Sequence, residues 1–284
     1  MLTLGNILDS TPKLGRYLLV LPMLIYPVFH FLNTRFVANI VPPWIPGRVF
    51  WTYFTGTTIM AAGLAITFKR YAHLAGILLG VEILLFVLLI HVFLIFHKPG
   101  DAWVQSVVGS LDLPGRLNNA FKDLGLSAAV FVFAGTQSEA WRKSGEDGVL
   151  TFGRLVLASC IAAFGVLHFL YPGFAPGIPP MSPNIPFLIP GHLFWVYFSG
   201  IAFLVAAVCI LINKEARLAA TLLGITILVF DLLTWVPRFS AHPGAILGNW
   251  LKDLGIAGGL LILAGAFPRS AGRGKPQEVK LAFR

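Results

Sequence analysis

Cysteine is nearly absent from this chain. Among 284 residues there are two, Cys160 and Cys209, both inside apolar runs and with no C-x-x-C or metal-ligand spacing. That excludes thiol–disulfide chemistry that needs paired cysteines and leaves both as small buried hydrophobes. Charge is scarce as well: only 12% of residues are charged, 12 of them acidic, against 57% hydrophobic and a mean hydropathy of +0.80. A soluble domain of this length needs a far more charged surface, so the composition is that of an integral membrane protein. Walker, HExxH and Gly-rich nucleotide motifs are missing too, so the sequence demands no nucleotide and no metal. The N-terminal stretch "MLTLGNILDSTPKLGR" has no cleavable-signal pattern, and the first span is expected to be retained.

The net charge of +9 is not a nucleic-acid signature, because the basic residues fall in short loops and in the C-terminal tail. They read as topology signals and lipid-headgroup contacts. About 20 apolar residues cross the hydrocarbon core. Eight segments qualify: Arg16–Phe36, Val49–Phe68, Ala72–Phe96, Asn118–Gln137, Arg154–Phe174, Leu193–Ile212, Arg217–Val236 and Leu247–Phe267. Fourteen of the 21 Lys and Arg residues then lie on the side of the termini and seven on the other. The positive-inside rule puts both termini in the cytoplasm, with the chain integral to the cell (inner) membrane.

The chain also repeats itself. Gly15-Arg16 and His30-Phe31 return as Gly153-Arg154 and His168-Phe169, offset by 138. "IPGRVFWTYFTG" (45–56) returns as "IPGHLFWVYFSG" (189–200) and "LAGILLG" (74–80) as "LAATLLG" (218–224), offset by 144. "NAFKDLG" (119–125) returns as "NWLKDLG" (249–255), offset by 130. Matches in one order over the whole chain indicate two four-helix repeats. An even number of spans makes the repeats parallel, related by a pseudo-twofold axis along the membrane normal. The predicted fold is therefore an all-α membrane bundle of eight helices. Its first repeat is 1–136, its linker 137–152 on the cytoplasmic side, its second repeat 153–268 and its basic tail 269–284. Small-xxx-small spacings (Gly76/Gly80, Ala220/Gly224, Gly125/Ala129, Gly255/Gly259) recur in matching helices and allow close backbone approach.

"GVLHFLYPGFAPGIPP", followed by "FWVYFSGI" and "EARLAATLLGI", resembles the DoxX-like family of small four-helix membrane proteins. Those have a His-Phe…Pro segment, a Pro-rich loop, a Ser/Thr-Gly second helix and a basic-x-x-Ala third helix. The second half carries the pattern more fully; the first has Asn-Thr-Arg after His-Phe and His73 at the basic position. The resemblance implies a link to quinone-coupled redox complexes, since some relatives are subunits of thiosulfate:quinone oxidoreductases or terminal oxidases.

Polar groups inside apolar runs are the candidate site residues. His30 and His168 each lie 14 residues past an inner-surface arginine. At 1.5 Å per residue that is about 21 Å into the membrane. They are either buried histidines hydrogen-bonded to a neighbour, or donors and proton exchangers at a quinone site; bis-histidine haem ligation ranks last. The Lys122-Asp123 and Lys252-Asp253 pairs are submerged by about one turn, where Asp suits a first helical turn and Lys can snorkel. Asp231 lies at the depth of His168 and could pair with Lys252 or His168. Glu82, near a midplane, has no evident partner. His168, Asp231 and Lys252 are the candidates for catalytic roles. His30, Lys122, Asp123, Asp253, Arg48, His192, Trp195 and Tyr197 are the candidates for ligand binding, and no metal site is expected. Aromatics near the outer boundary (Trp44, Trp51, Tyr53, Trp103, Trp235, Trp250) read as an interfacial belt. The proline-rich loops "IVPPWIPGR" and "GFAPGIPPMSPNIPFLIPGH" read as caps, with 98–116 as another.

Three functions remain. One is a quinone-linked redox subunit with a lipophilic-ligand pocket near the outer face, its partners being membrane lipid, quinone and other redox-complex subunits. Another is a non-catalytic scaffold or assembly factor. The third is a small-solute or proton carrier, ranked last because broken midplane helices are missing.

Overall fold

The computed structural model describes residues 4–97, 100–109, 112–173, 191–236 and 243–267. It is all α. In chain order the helices are α1 (Leu4–Leu32), α2 (Thr34–Ile40), α3 (Arg48–Thr67) and α4 (Ala72–Phe86). A π-helical turn (Val87–His91) then leads into α5 (Val92–Phe96). Next come α6 (Ala102–Val108), α7 (Leu113–Thr136), α8 (Glu139–Ser144), α9 (Gly148–Leu170), α10 (His192–Leu211), α11 (Ala216–Trp235) and α12 (Pro243–Ala266). Local chemistry sets several starts. The Asp112, Ser138 and Asp147 side chains accept from the backbone N–H groups of Gly115, Trp141 and Leu150 and so cap α7, α8 and α9. α3 and α10 each follow a left-handed glycine, Gly47 (φ 73°) and Gly191 (φ 85°), that turns the chain out of a proline-rich loop.

Six helical stretches are long and apolar enough to cross a membrane: Thr11–Leu32, Arg48–Thr67, Ala72–Phe96, Gly148–Leu170, His192–Leu211 and Ala216–Leu233. The exterior agrees. Leu74, Leu78, Val81 and Leu85 on α4 form an exposed apolar stripe at helical spacing, and so do Leu218, Leu222, Ile225 and Val229 on α11. Exposed leucine stripes of that extent face lipid, not water. The protein is a multi-span helical integral membrane protein.

The two expected spans outside those six are α7 and α12, each 24 residues long. The reason is physical. α7 packs on α4, α9 and α12, and α12 packs on α1, α11 and α7, so both are wrapped by protein. Every residue from Gly125 to Thr136 is buried. A helix surrounded in this way can carry charges such as Lys122, Asp123, Lys252 and Asp253 that a lipid-facing helix cannot.

The packing crosses between the halves. α1 packs on α12, and α9 packs on α7. A Cβ on Gly15 would lie 2.5 Å from the Gly258 carbonyl oxygen, and one on Gly258 would lie 2.5 Å from the Gly15 carbonyl oxygen. Gly153 meets the Val132 amide nitrogen and the Ala128 carbonyl in the same manner. Where α7 meets α12, Gly125 faces Ile256, Gly255 faces Leu126, and Gly259 faces Ala129. Each of these contacts maps onto its counterpart by the sequence offsets of 138 and 130.

Beyond α1 a small cap forms. Trp44 and Trp103 pack with Phe93, at ring distances of 4.2 and 5.4 Å. The Trp103 indole donates to the Asn39 carbonyl at 2.9 Å, and the Asn39 amide donates to Ser106 Oγ at 3.0 Å, joining α2 to α6. Buried Arg116 donates to the Leu94 and His97 carbonyls and closes the end of α5. Trp103→Phe keeps an aromatic six-membered ring and removes the indole N–H donor. It is expected to cost about 1 kcal/mol and to speed hydrogen exchange in Ala102–Val108, measured by mass spectrometry, while exchange in α7 stays unchanged. The expected cap at 175–190 and the basic tail 269–284 lie outside the described residues.

Candidate functional site

Where α7 and α12 touch, the two Lys-Asp pairs cross. Lys122 Nζ lies 2.9 Å from both oxygens of Asp253, with both side chains wholly buried at 0% exposure. Lys252 Nζ lies 2.6 Å from Asp123. Each lysine thus takes the aspartate of the other half, and the contacts are reciprocal under the offset of 130. Neither lysine snorkels. In a low-dielectric interior a charge unpaired by its partner is costly, so the pairing fixes the register of α7 against α12.

A third group joins each aspartate. His91 Nε2, at the end of the π turn, lies 2.6 Å from Asp123 Oδ2. The Trp235 indole, on α11, donates to Asp253 Oδ2 at 3.3 Å. Positions 91 and 235 are related by the offset of 144, so an imidazole in one half stands where an indole stands in the other. π turns are rare and concentrate at functional positions. The Tyr26 hydroxyl, on α1, donates to the Gly248 carbonyl at 2.7 Å and closes the cluster from the side of α1.

The two ends differ in access. His91, Asp123 and Lys252 side chains are 15%, 13% and 19% exposed. The Lys122–Asp253 end is sealed, and Asp231, only 4% exposed, lies against Asp253, Lys122 and Trp235. Asp231 stands where the first half has Val87. Its expected partner Lys252 is taken by Asp123, and its actual neighbour is a second carboxyl. Among the described residues, Asp231 Oδ2 and both amide atoms of fully buried Asn118, one turn before Lys122, have no hydrogen-bond partner.

The remaining candidates lie elsewhere. His30 Nδ1 bonds the Tyr26 carbonyl at 2.8 Å, and His168 Nδ1 bonds the Phe164 carbonyl at 2.7 Å, each on its own helix. Both are seated on a glycine of the next long helix: a Cβ on Gly56 would lie 2.8 Å from His30 Cβ, and one on Gly200 would lie 3.0 Å from His168 Cβ. Glu82 does have a partner, since Thr58 donates to it at 2.7 Å. Arg48 and His192 begin α3 and α10. Among the described residues no hydrogen bond or ion pair joins either to the crossed pairs. Trp195 packs edge-on to Phe230 at 6.3 Å, and Tyr197 stacks on Phe169 at 5.7 Å, in the aromatic layer.

His91 is the residue that the sequence reading missed. Single-chain hydropathy hides it inside the run Leu88–Phe96, and it has no histidine twin. The recoverable signal is the pair of N–H donors, His91 and Trp235, at the common offset. Comparison with protein-family models, with curated proteins and with solved structures gives no match.

Proposed function

We propose that the chain consists of two DoxX-like four-helix units crossing the membrane eight times, with both termini cytoplasmic. In this reading it serves as a subunit of a quinone-linked redox system. The reciprocal contacts at Gly15/Gly258, Gly125/Ile256 and the crossed Lys-Asp pairs support the duplication. α7 and α12 supply the two crossings of lowest apolarity, shielded by their neighbours.

The observation that carries the function is the contrast between the ends of the cluster. The sealed end holds the halves together. The open end presents an imidazole, a carboxylate and an ammonium that remain partly accessible. An imidazole and an ammonium can donate to the two carbonyl oxygens of a quinone ring, and an imidazole exchanges protons near neutrality. The ligand's polar end therefore belongs at His91 and Lys252, away from His168.

The test is purification in mild detergent, with an absorption spectrum and extraction of bound lipids. The expected result is co-purifying quinone that is lost in His91→Ala and Lys252→Met and kept in Lys143→Ala, an exposed surface control. A Soret band would replace quinone by haem as the cofactor. If no quinone is found and neither variant alters an associated complex, the redox reading fails. The scaffold reading, favoured by the wholly sealed Lys122–Asp253 pair, then takes its place.

A further inference from the structure

The charge inventory of the cluster does not close. Lys122 and Lys252 bring two ammonium groups, while Asp123, Asp253 and Asp231 bring three carboxyls. Among the described residues, and with His91 neutral, one negative charge is in excess at a place where Asp231 is 4% exposed and Asp253 is 0% exposed. An uncompensated carboxylate in a protein interior within a membrane costs several kcal/mol. A proton on His91 would balance the total but would leave Asp231 and Asp253 as adjacent carboxylates sharing one ammonium. Asp123, in contrast, already has Lys252 at 2.6 Å. The stable arrangement puts the extra proton between the two carboxyls that touch.

We propose that Asp231 and Asp253 form a proton-binding site, sharing one exchangeable proton, and that His91 at the open end of the cluster is the group through which it exchanges with solvent. The sharing needs no oxidant or reductant. One carboxyl O–H donates to the other carboxylate, and the proton lost from it passes to a base.

The groups around the site are these. α1 contributes Tyr26, bonded to the Gly248 carbonyl. The π turn contributes His91; α7 contributes Lys122 and Asp123; α11 contributes Trp235; α12 contributes Lys252 and Asp253. Asp231 Oδ2, which has no hydrogen-bond donor among the described residues, is a second sign that this end is built to hold something. An apolar lock would not need it, and position 87 in the first half does without an acid. The shared proton belongs to the sealed end and holds whether or not a ligand binds the open one; only His91 is common to this inference and the quinone reading.

The experiment is infrared difference spectroscopy on the full-length protein in lipid nanodiscs at neutral pH. The carbonyl stretch of a protonated carboxyl is read before and after transfer to deuterium oxide. The wild type is expected to show one such band besides any that Glu82→Gln removes. It should vanish in Asp231→Asn, which keeps size and shape, and also in Asp231→Val, while His91→Gln should retain it and slow its deuterium shift severalfold. Native elution on size exclusion checks that each variant is folded. Absence of the band in the wild type, or its persistence unchanged in both Asp231 variants, overturns the shared-proton site. A deuterium shift as fast in His91→Gln as in the wild type overturns the role of His91.

Discussion

Lys122→Met is expected to lower stability by about 3–5 kcal/mol, because it strands Asp253 inside the protein without its ammonium partner. The pair has no exposure on either side, so no water is at hand to replace the lost partner. The double variant Lys122→Met/Asp253→Leu should recover most of the loss, since an ion pair replaced by apolar groups of similar volume is often neutral. The equivalent Lys252→Met should cost less. Asp123 keeps His91 at 2.6 Å and is not fully enclosed. Thermal unfolding in detergent, followed by the loss of monodisperse protein, ranks the three. A double variant as damaged as Lys122→Met would show that shape, and not charge, governs the contact.

The second large effect is steric. Gly258→Val should abolish the folded protein, and Gly258→Ala should already destabilise it strongly. An added Cβ would lie 2.5 Å from the Gly15 carbonyl oxygen and 2.7 Å from the Leu19 amide nitrogen. Both neighbours are backbone, so relief requires α1 and α12 to separate. Overpacking against yielding side chains costs about 1–3 kcal/mol, and a rigid backbone neighbour places this site at the top of that range or beyond it. Gly148→Ala is the control, with nothing within 4 Å of the added carbon and a helical position that favours alanine. Yield after size exclusion and the unfolding midpoint separate these outcomes.

Much of this arrangement is legible in the sequence, and the part that is not has a physical reason. Helices could be read as apolar runs, and matched segments as fixed offsets. Equivalence of segments does not say which helix lies beside which, however. Two closed four-helix bundles and the crossed arrangement, with α1 on α12 and α9 on α7, satisfy the same repeats. For that reason Lys122-Asp123 and Lys252-Asp253 read as snorkelling pairs at helix starts, and their reciprocal ion pairs emerge only once α7 and α12 are side by side. Asp231 stood out as an acid in an apolar run, but its neighbour could not be deduced, because Asp253 belongs to a helix adjacent only in space. His91 was hidden by its apolar surroundings and by the indole in its counterpart position. Hydropathy alone also treats every span as lipid-facing, and so the charges on α7 and α12 look misplaced until the three neighbours of each helix are seen.

The crossing of α1 onto α12 also bears on how the molecule is made. Gly258 follows Gly15 by 243 residues. At 5–20 residues per second a ribosome needs on the order of 10–50 s to deliver the second after the first. Throughout that interval α1 stands in the bilayer with its glycine face unmatched, and α7 waits likewise for α9, though far more briefly. α12 therefore acts as the bolt of the assembly. A chain halted before α12 would leave Lys122 without its carboxylate, a defect that a membrane quality-control protease could read directly.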